Sequence, residues 1–250
     1  MFLNQPRSSC GPLVIHVTRE WVEDTKYGLG KSLSPLLQGL LAKGMRTLYI
    51  NQSDLSAQAL KTRTQLQSIA SKITGHPAPA SLFLLSALLE RLQVAWLAVD
   101  RAKREVFATI HAHDPWLAGF IWLSLLFKPM LRVRWGITQH GFGAYYKAVQ
   151  LDGLTMLPCV ARVLRSMESY ILFRADFVVF PSYCAMQQCL VDLGQKTPSS
   201  NWHVLPHRLD VPAVLSRSEA RRVLGWSRTD RIVVAVGRLV PLKRFDVLIG

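Results

Sequence analysis

Short apolar, β-branched runs alternate along this chain with longer runs whose apolar positions recur every three or four residues. Leu13–Thr18 (LVIHVT) predicts a first strand, and Lys31–Lys43 a helix closed by Gly44. Arg46–Asn51 predicts a second strand, and the polar stretch Asp54–Lys72 a helix. TGHPAP (74–79) breaks the chain before another helix over Ser81–Asp100. A strand at Val106–His111 follows the basic turn Arg101–Arg104. Pro115 then opens a helix to Phe127. Arg132–Thr138 reads as a strand, Leu157–Arg174 as a long helix and Phe177–Phe180 as a short buried strand. Ser182 suits the N-cap of a helix to Leu193, Gly194 its end, and Trp202–Leu205 one more strand. Such alternation predicts an α/β fold, a doubly wound parallel sheet of Rossmann-like type with helices on both faces. Ligands of such sheets sit at the carboxyl ends of the strands.

After Pro206 the pattern changes. His207–Ser216 resembles a linker, Arg217–Gly225 a short basic helix and Arg231–Val236 (RIVVAV) a buried strand, with Lys243 opening a last helix. The expected division is a first domain over 1–206, then a linker and the first βα unit of a second domain over 207–250. One strand and part of a helix cannot bury themselves, so the second domain is expected to be incomplete within these residues.

Composition narrows the classes. The chain has 250 residues, half of them apolar and 18% charged, which excludes disorder and coiled coil. Thirty Lys and Arg against 16 Asp and Glu give a net charge of +14, a field that favours phosphates or acidic lipid headgroups. Nucleic acid would rest on charge alone and is not expected as a partner. Four cysteines without a C-x-x-C point to reduced thiols and a cytoplasmic setting. The longest apolar run, Leu117–Phe127, is too short to cross a bilayer but suits a buried or interfacial helix.

Four segments could carry chemistry, each at a predicted strand end or helix start. Gly28 and Gly30, in YGLGK, would let backbone approach a ligand at a helix N-terminus, although Leu33 stands where a full G-x-G-x-x-G needs glycine. IHAHD places His111, His113 and Asp114 at a strand end. This suggests either a metal site or a metal-free ligand-facing role, but the spacing does not match binuclear metallohydrolases. TQHGFG puts His140 beside two glycines past a further strand. Arg238 and Lys243, in GRLVPLK, bring two cations to a loop and helix start, as a diphosphate requires. No D-x-D occurs, so a carboxylate-held divalent ion is not expected, and no G-x-S-x-G marks a hydrolase serine.

Taken in order, these segments resemble glycosyltransferase family 4, nucleotide-sugar enzymes of the GT-B fold. The similar stretches are GLGKSLSPLLQGLLAKGMRTLYI (28–50), IHAHDPWLAGF (110–120), SMESYILFRADFVVFPSYCAMQQCLVDLG (166–194) and RRVLGWSRTDRIVVAVGRLVPLKRFDVLIG (221–250). The resemblance implies an acceptor-side domain followed by the entry to a donor domain. Its activity would be retaining, metal-independent and cofactor-free transfer of a sugar from a nucleotide-sugar donor to a glycan or lipid-linked acceptor. Arg238 and Lys243 would hold the donor diphosphate, and Gly28 and Gly30 would approach donor phosphates or acceptor. His140 would lie at the transferred sugar, as the catalytic candidate, and His113 and Asp114 would line the acceptor side. Fixed cations in a closed cleft would stabilise the leaving phosphate.

The sequence departs from the family at three points. His207-Arg208 replaces the usual Asn-Gly, Arg244 replaces a glycine, and the acidic E-x7-E motif would fall beyond Gly250. The implied fragment is therefore weak or inactive alone. Basic residues and the apolar Trp116–Phe127 helix fit peripheral attachment at the inner membrane face, where polysaccharide or glycolipid is assembled. Two alternatives stay open at this point: a metal-dependent hydrolase using His111, His113 and His140, and a non-catalytic module binding an anion or acceptor.

Overall fold

In the computed structural model, which describes residues 11–20, 28–74, 80–152, 154, 156–206, 214–237 and 245–249, the alternation closes into one parallel sheet. The strands are β1 (Leu13–Val17), β2 (Arg46–Ile50), β3 (Ala108–Ala112), β4 (Val133–Thr138), β5 (Phe177–Phe180) and β6 (Trp202–Val204), in the order β2-β1-β3-β4-β5-β6. Every neighbouring pair is parallel. The helices are α1 (Gly28–Ala42), α2 (Ala57–Thr74), α3 (Ala80–Ala102), α4 (Pro115–Leu126), α5 (Tyr145–Leu151), α6 (Pro158–Arg174), α7 (Tyr183–Leu193), α8 (Arg217–Leu224) and α9 (Phe245–Ile249). The order reverses at β1 and β3. After β1 the chain moves outward to β2, then crosses back to β3, leaving a crevice at the carboxyl ends where the two directions part.

Alternation along each strand assigns the two faces. Leu13, Ile15 and Val17 of β1, with Ala108, Ile110 and Ala112 of β3, join Val94, Ala98 and Val99 of α3 and Leu117 and Ile121 of α4 in the main core. His16 and His111 therefore project from the opposite face, which α1 covers with buried Leu33 and Leu37. One row across that face runs Tyr49, His16, His111, Gly136 and Phe177, each in register with the next. Gly136 is required there: a Cβ would meet the Phe177 ring at 2.3 Å. The vacant space lets Phe177 reach His111, with ring centroids 5.2 Å apart and edge to face.

Several expected helix ends are present: Pro115 opens α4, Ser182 caps α7 through the Ala185 N–H, and Gly194 ends α7 in the left-handed region at φ 71°. Asp114, expected to line the site, is instead the N-cap of α4. Three further expectations need correction. Helix α1 begins at Gly28, so Gly28 and Gly30 lie in its first turn rather than in a loop before it. Helix α5 was not expected; it is short, and its N-terminus is held by residues remote in sequence. The expected strand at 231–236 does not form: those residues carry no strand pairing, and Val233 and Val236 are 78% and 91% exposed. Among the described residues no strand neighbours this run, so none satisfies its backbone groups or covers its side chains. The proposed boundary at 207 falls on residues outside those described.

Candidate histidine cluster at the strand ends

Strands β1 and β3 are built alike at their ends. LVIHV and ATIHA each place a histidine next to last, and parallel pairing sets His16 beside His111. His113 follows two residues later on the same face, its N–H bonded to the Val17 carbonyl at 3.2 Å. His140 follows β4. The four imidazoles form a connected group. His16 Nδ1 and His113 Nε2 are 3.1 Å apart, and His113 Nδ1 and His140 Nε2 are 2.9 Å apart. His111 Nε2 meets Thr138 Oγ1 at 2.7 Å. Ring centroids of His111 and His113 are separated by 4.5 Å.

The cluster is mostly dry. His16 is fully buried, and His111 and His113 are buried as well, while His140 reaches the surface. Burial lowers the His16 pKa to about 4. Burial lowers His111 well below its ordinary range, with His16 and His140 adding to the effect. Both rings are neutral at physiological pH and carry one lone pair each.

A cleft of about 400 Å³ opens above the cluster. Its polar wall is His111, His113, Thr138 and His140, and its apolar wall comes from Leu33, Leu36 and Leu40 of α1, with Val179, Leu205 and Pro206 closing the far side. A larger groove of about 660 Å³ runs along β2, but its Arg46 is held by Glu105 in a two-pronged pair at 2.8 and 2.9 Å. The histidine cleft lies at the carboxyl ends of the strands, where parallel sheets bind ligands.

The loop carrying His140 is fixed by two carboxylates from later helices. Glu168 of α6 accepts the N–H groups of Tyr145 and Tyr146 at 2.6 and 2.9 Å. Asp192 of α7 accepts the Ala144 N–H at 3.0 Å and pairs with Lys147 at 2.7 Å. Gly143 sits at φ 83°, and a Cβ there would strike the Asp192 carboxylate at 2.3 Å. Burial raises the Glu168 carboxyl to about 7, against the two backbone hydrogen bonds that favour its charge.

The expected residues fall into three groups. His113 and His140 come together in the cleft, joined by His111. Asp114 does not line it: one oxygen accepts the Trp116 and Leu117 N–H groups, and the other meets Arg91 at 2.6 Å. The capping demand of α4 and the buried Arg91 occupy that carboxylate, which Arg91 and its hydrogen bond hold below the usual range despite burial. Arg238 and Lys243 lie outside the described residues, and of Gly28 and Gly30 only their place in the helix is described. His16 and Thr138 were missed as site residues. The repeated I-H-small ending of two strands was the available signal for His16. No family model matches the chain, and no curated protein matches it.

Proposed function

We propose that the chain acts in retaining glycosyl transfer, with residues 1–206 as the acceptor side of a nucleotide-sugar transferase. The observation that supports this most is the cleft at the strand ends, with His140 on its rim oriented by His113. A glycan or lipid-linked acceptor would lie along the apolar α1 wall, its hydroxyl directed to the histidine side. In transfer, the anomeric carbon–oxygen bond to the diphosphate breaks with its electron pair on phosphate. The acceptor oxygen bonds the same carbon, and its proton leaves with the diphosphate. Arg238 and Lys243 would neutralise the charge that develops. His140 would donate or accept a hydrogen bond at the transferred sugar.

The test is label incorporation by the purified chain from a panel of nucleoside-diphosphate sugars into glycan and lipid-linked acceptors. Slow, donor-dependent incorporation is expected, and His140→Ala should lower it by about 100-fold or more. Incorporation that His140→Ala leaves unchanged, or that needs no nucleoside-diphosphate sugar, overturns the reading.

Peripheral membrane attachment belongs to the same proposal, though on a different surface from that expected. Trp116, Leu117 and Ile121 are in the core, which removes the first half of α4 from any lipid. At this end of the sheet the exposed apolar groups are instead Leu126, Phe127 and Met130, at and after the end of α4, with Val106 and Phe107 before β3. Exposed Lys103, Arg104, Arg132 and Arg134 lie in the same segments. This is the amino end of the strands, opposite the cleft. Among the described residues no helix is long and apolar enough to cross a membrane. Vesicles containing phosphatidylserine should retain the chain, and Phe127→Glu should weaken retention at least tenfold. Equal retention on neutral vesicles would argue against the charge contribution.

A further inference from the structure

We propose that His16, His111 and His113 bind one divalent transition-metal ion of the zinc class, at the floor of the cleft. Each residue offers a ring nitrogen, and the three nitrogens lie within 4.8 Å of one another. Ligands on a tetrahedral zinc at about 2.0–2.1 Å stand about 3.4 Å apart, so nitrogen shifts on the order of 1 Å close the site. His16 Nδ1 and His113 Nε2 are already 3.1 Å apart.

The surroundings are those of a ligand set. A metal-bound imidazole is oriented by a hydrogen bond at its other nitrogen. Thr138 holds His111 Nε2 and His140 holds His113 Nδ1, while His113 Nε2 faces His16 Nδ1 across 3.1 Å. His16, with Nδ1 beside His113 Nε2, has a buried Nε2 with no hydrogen-bond partner, so the packing around its enclosed ring sets its orientation. Two of the three ligands come from paired strands, so the backbone holds the set without help from a mobile loop.

The donor chemistry selects the ion. Three imidazoles without a carboxylate disfavour magnesium and calcium, which require oxygen, and suit zinc, cobalt, nickel or copper. Asp114, the nearest carboxylate in sequence, is occupied by Arg91 and the α4 N-terminus. Three protein ligands leave a fourth position, as in catalytic rather than structural zinc sites. His111 and His113 line the cleft, so that position is open to water or to an anionic oxygen of a bound ligand. The proposal departs from the metal-free expectation of the sequence. It does not depend on glycosyl transfer and can stand or fall separately.

The experiment is titration of the metal-stripped full chain with zinc ions alone, followed by X-ray absorption at the zinc edge. One tight ion per chain is expected, with a dissociation constant below about a micromolar. The absorption spectrum should report three imidazoles at about 2.0 Å and no sulfur. His16→Gln should weaken zinc binding by about 100-fold, while exposed His203→Ala leaves it unchanged. If His16→Gln does not fold, the ligand count on the unaltered chain decides the question. No binding tighter than about a micromolar, or a shell with fewer than three imidazoles or with sulfur, overturns the site.

Discussion

Arg91 lies almost wholly buried on α3, and its guanidinium is consumed by protein alone. It contacts Asp114 at 2.6 Å, the Ala87 carbonyl at 2.7 Å and the Tyr145 hydroxyl at 2.8 Å. Removing one member of such a pair leaves the other charge buried and alone, which costs about 3–5 kcal/mol. Arg91→Met should lower unfolding stability by that amount in urea titration, and the added change Asp114→Asn should recover part of it. Glu168 answers to pH instead. Its carboxyl is raised from 4.5 to about 7, so the folded chain binds a proton that the unfolded chain has released. Its contribution is full below about pH 4.5 and is lost as pH rises through about 7, a span of about 3 kcal/mol. Glu168→Gln should flatten that part of the stability–pH curve measured by denaturant unfolding. A slope unchanged by the substitution would assign the pH dependence to other groups.

At the scale of elements, legibility followed how local the cause was. The six strands of the sheet were readable because apolar runs between turn residues are self-contained signals. The caps at Ser182 and Gly194 sit within four residues of what they cap and were readable, whereas Asp114, an equally local cap of α4, was read as a site residue. Helix α5 was not readable. Its leading N–H groups are satisfied by Glu168, more than twenty residues later, and no local cap marks its start. Residues 231–236 carried the strongest strand composition of the C-terminal part and yet form no strand. Propensity supplies a suitable side-chain pattern, but a strand exists only beside a partner. The site divided in the same way. His113 and His140 could be placed at strand ends from sequence, but their 2.9 Å contact depends on the β3–β4 register. His16 lies 97 residues before its partner His113, and only the pairing of β1 with β3 brings them together.

For the whole molecule, the reversal of strand order between β1 and β3 places the cleft at one end of the sheet, while the exposed apolar and basic segments occupy the other. Ligand chemistry and surface attachment are therefore separable by substitution: His140→Ala should leave vesicle retention intact, and Phe127→Glu should leave zinc binding intact. The unpaired run at 232–236 has a different consequence, for the fate of the chain in concentrated solution. Ile232-Val233-Val234-Ala235-Val236 is β-branched at four of five positions, uncharged and free of proline, the composition of segments that stack between molecules. Its main-chain groups can be satisfied by an identical run from a second copy, a contact that extends rather than closes. Light scattering of the purified chain should rise with concentration, and Val234→Lys should suppress the rise by placing like charges in every layer. A segment that, among the described residues, pairs with no strand of its own chain is thus open to assembly into someone else's.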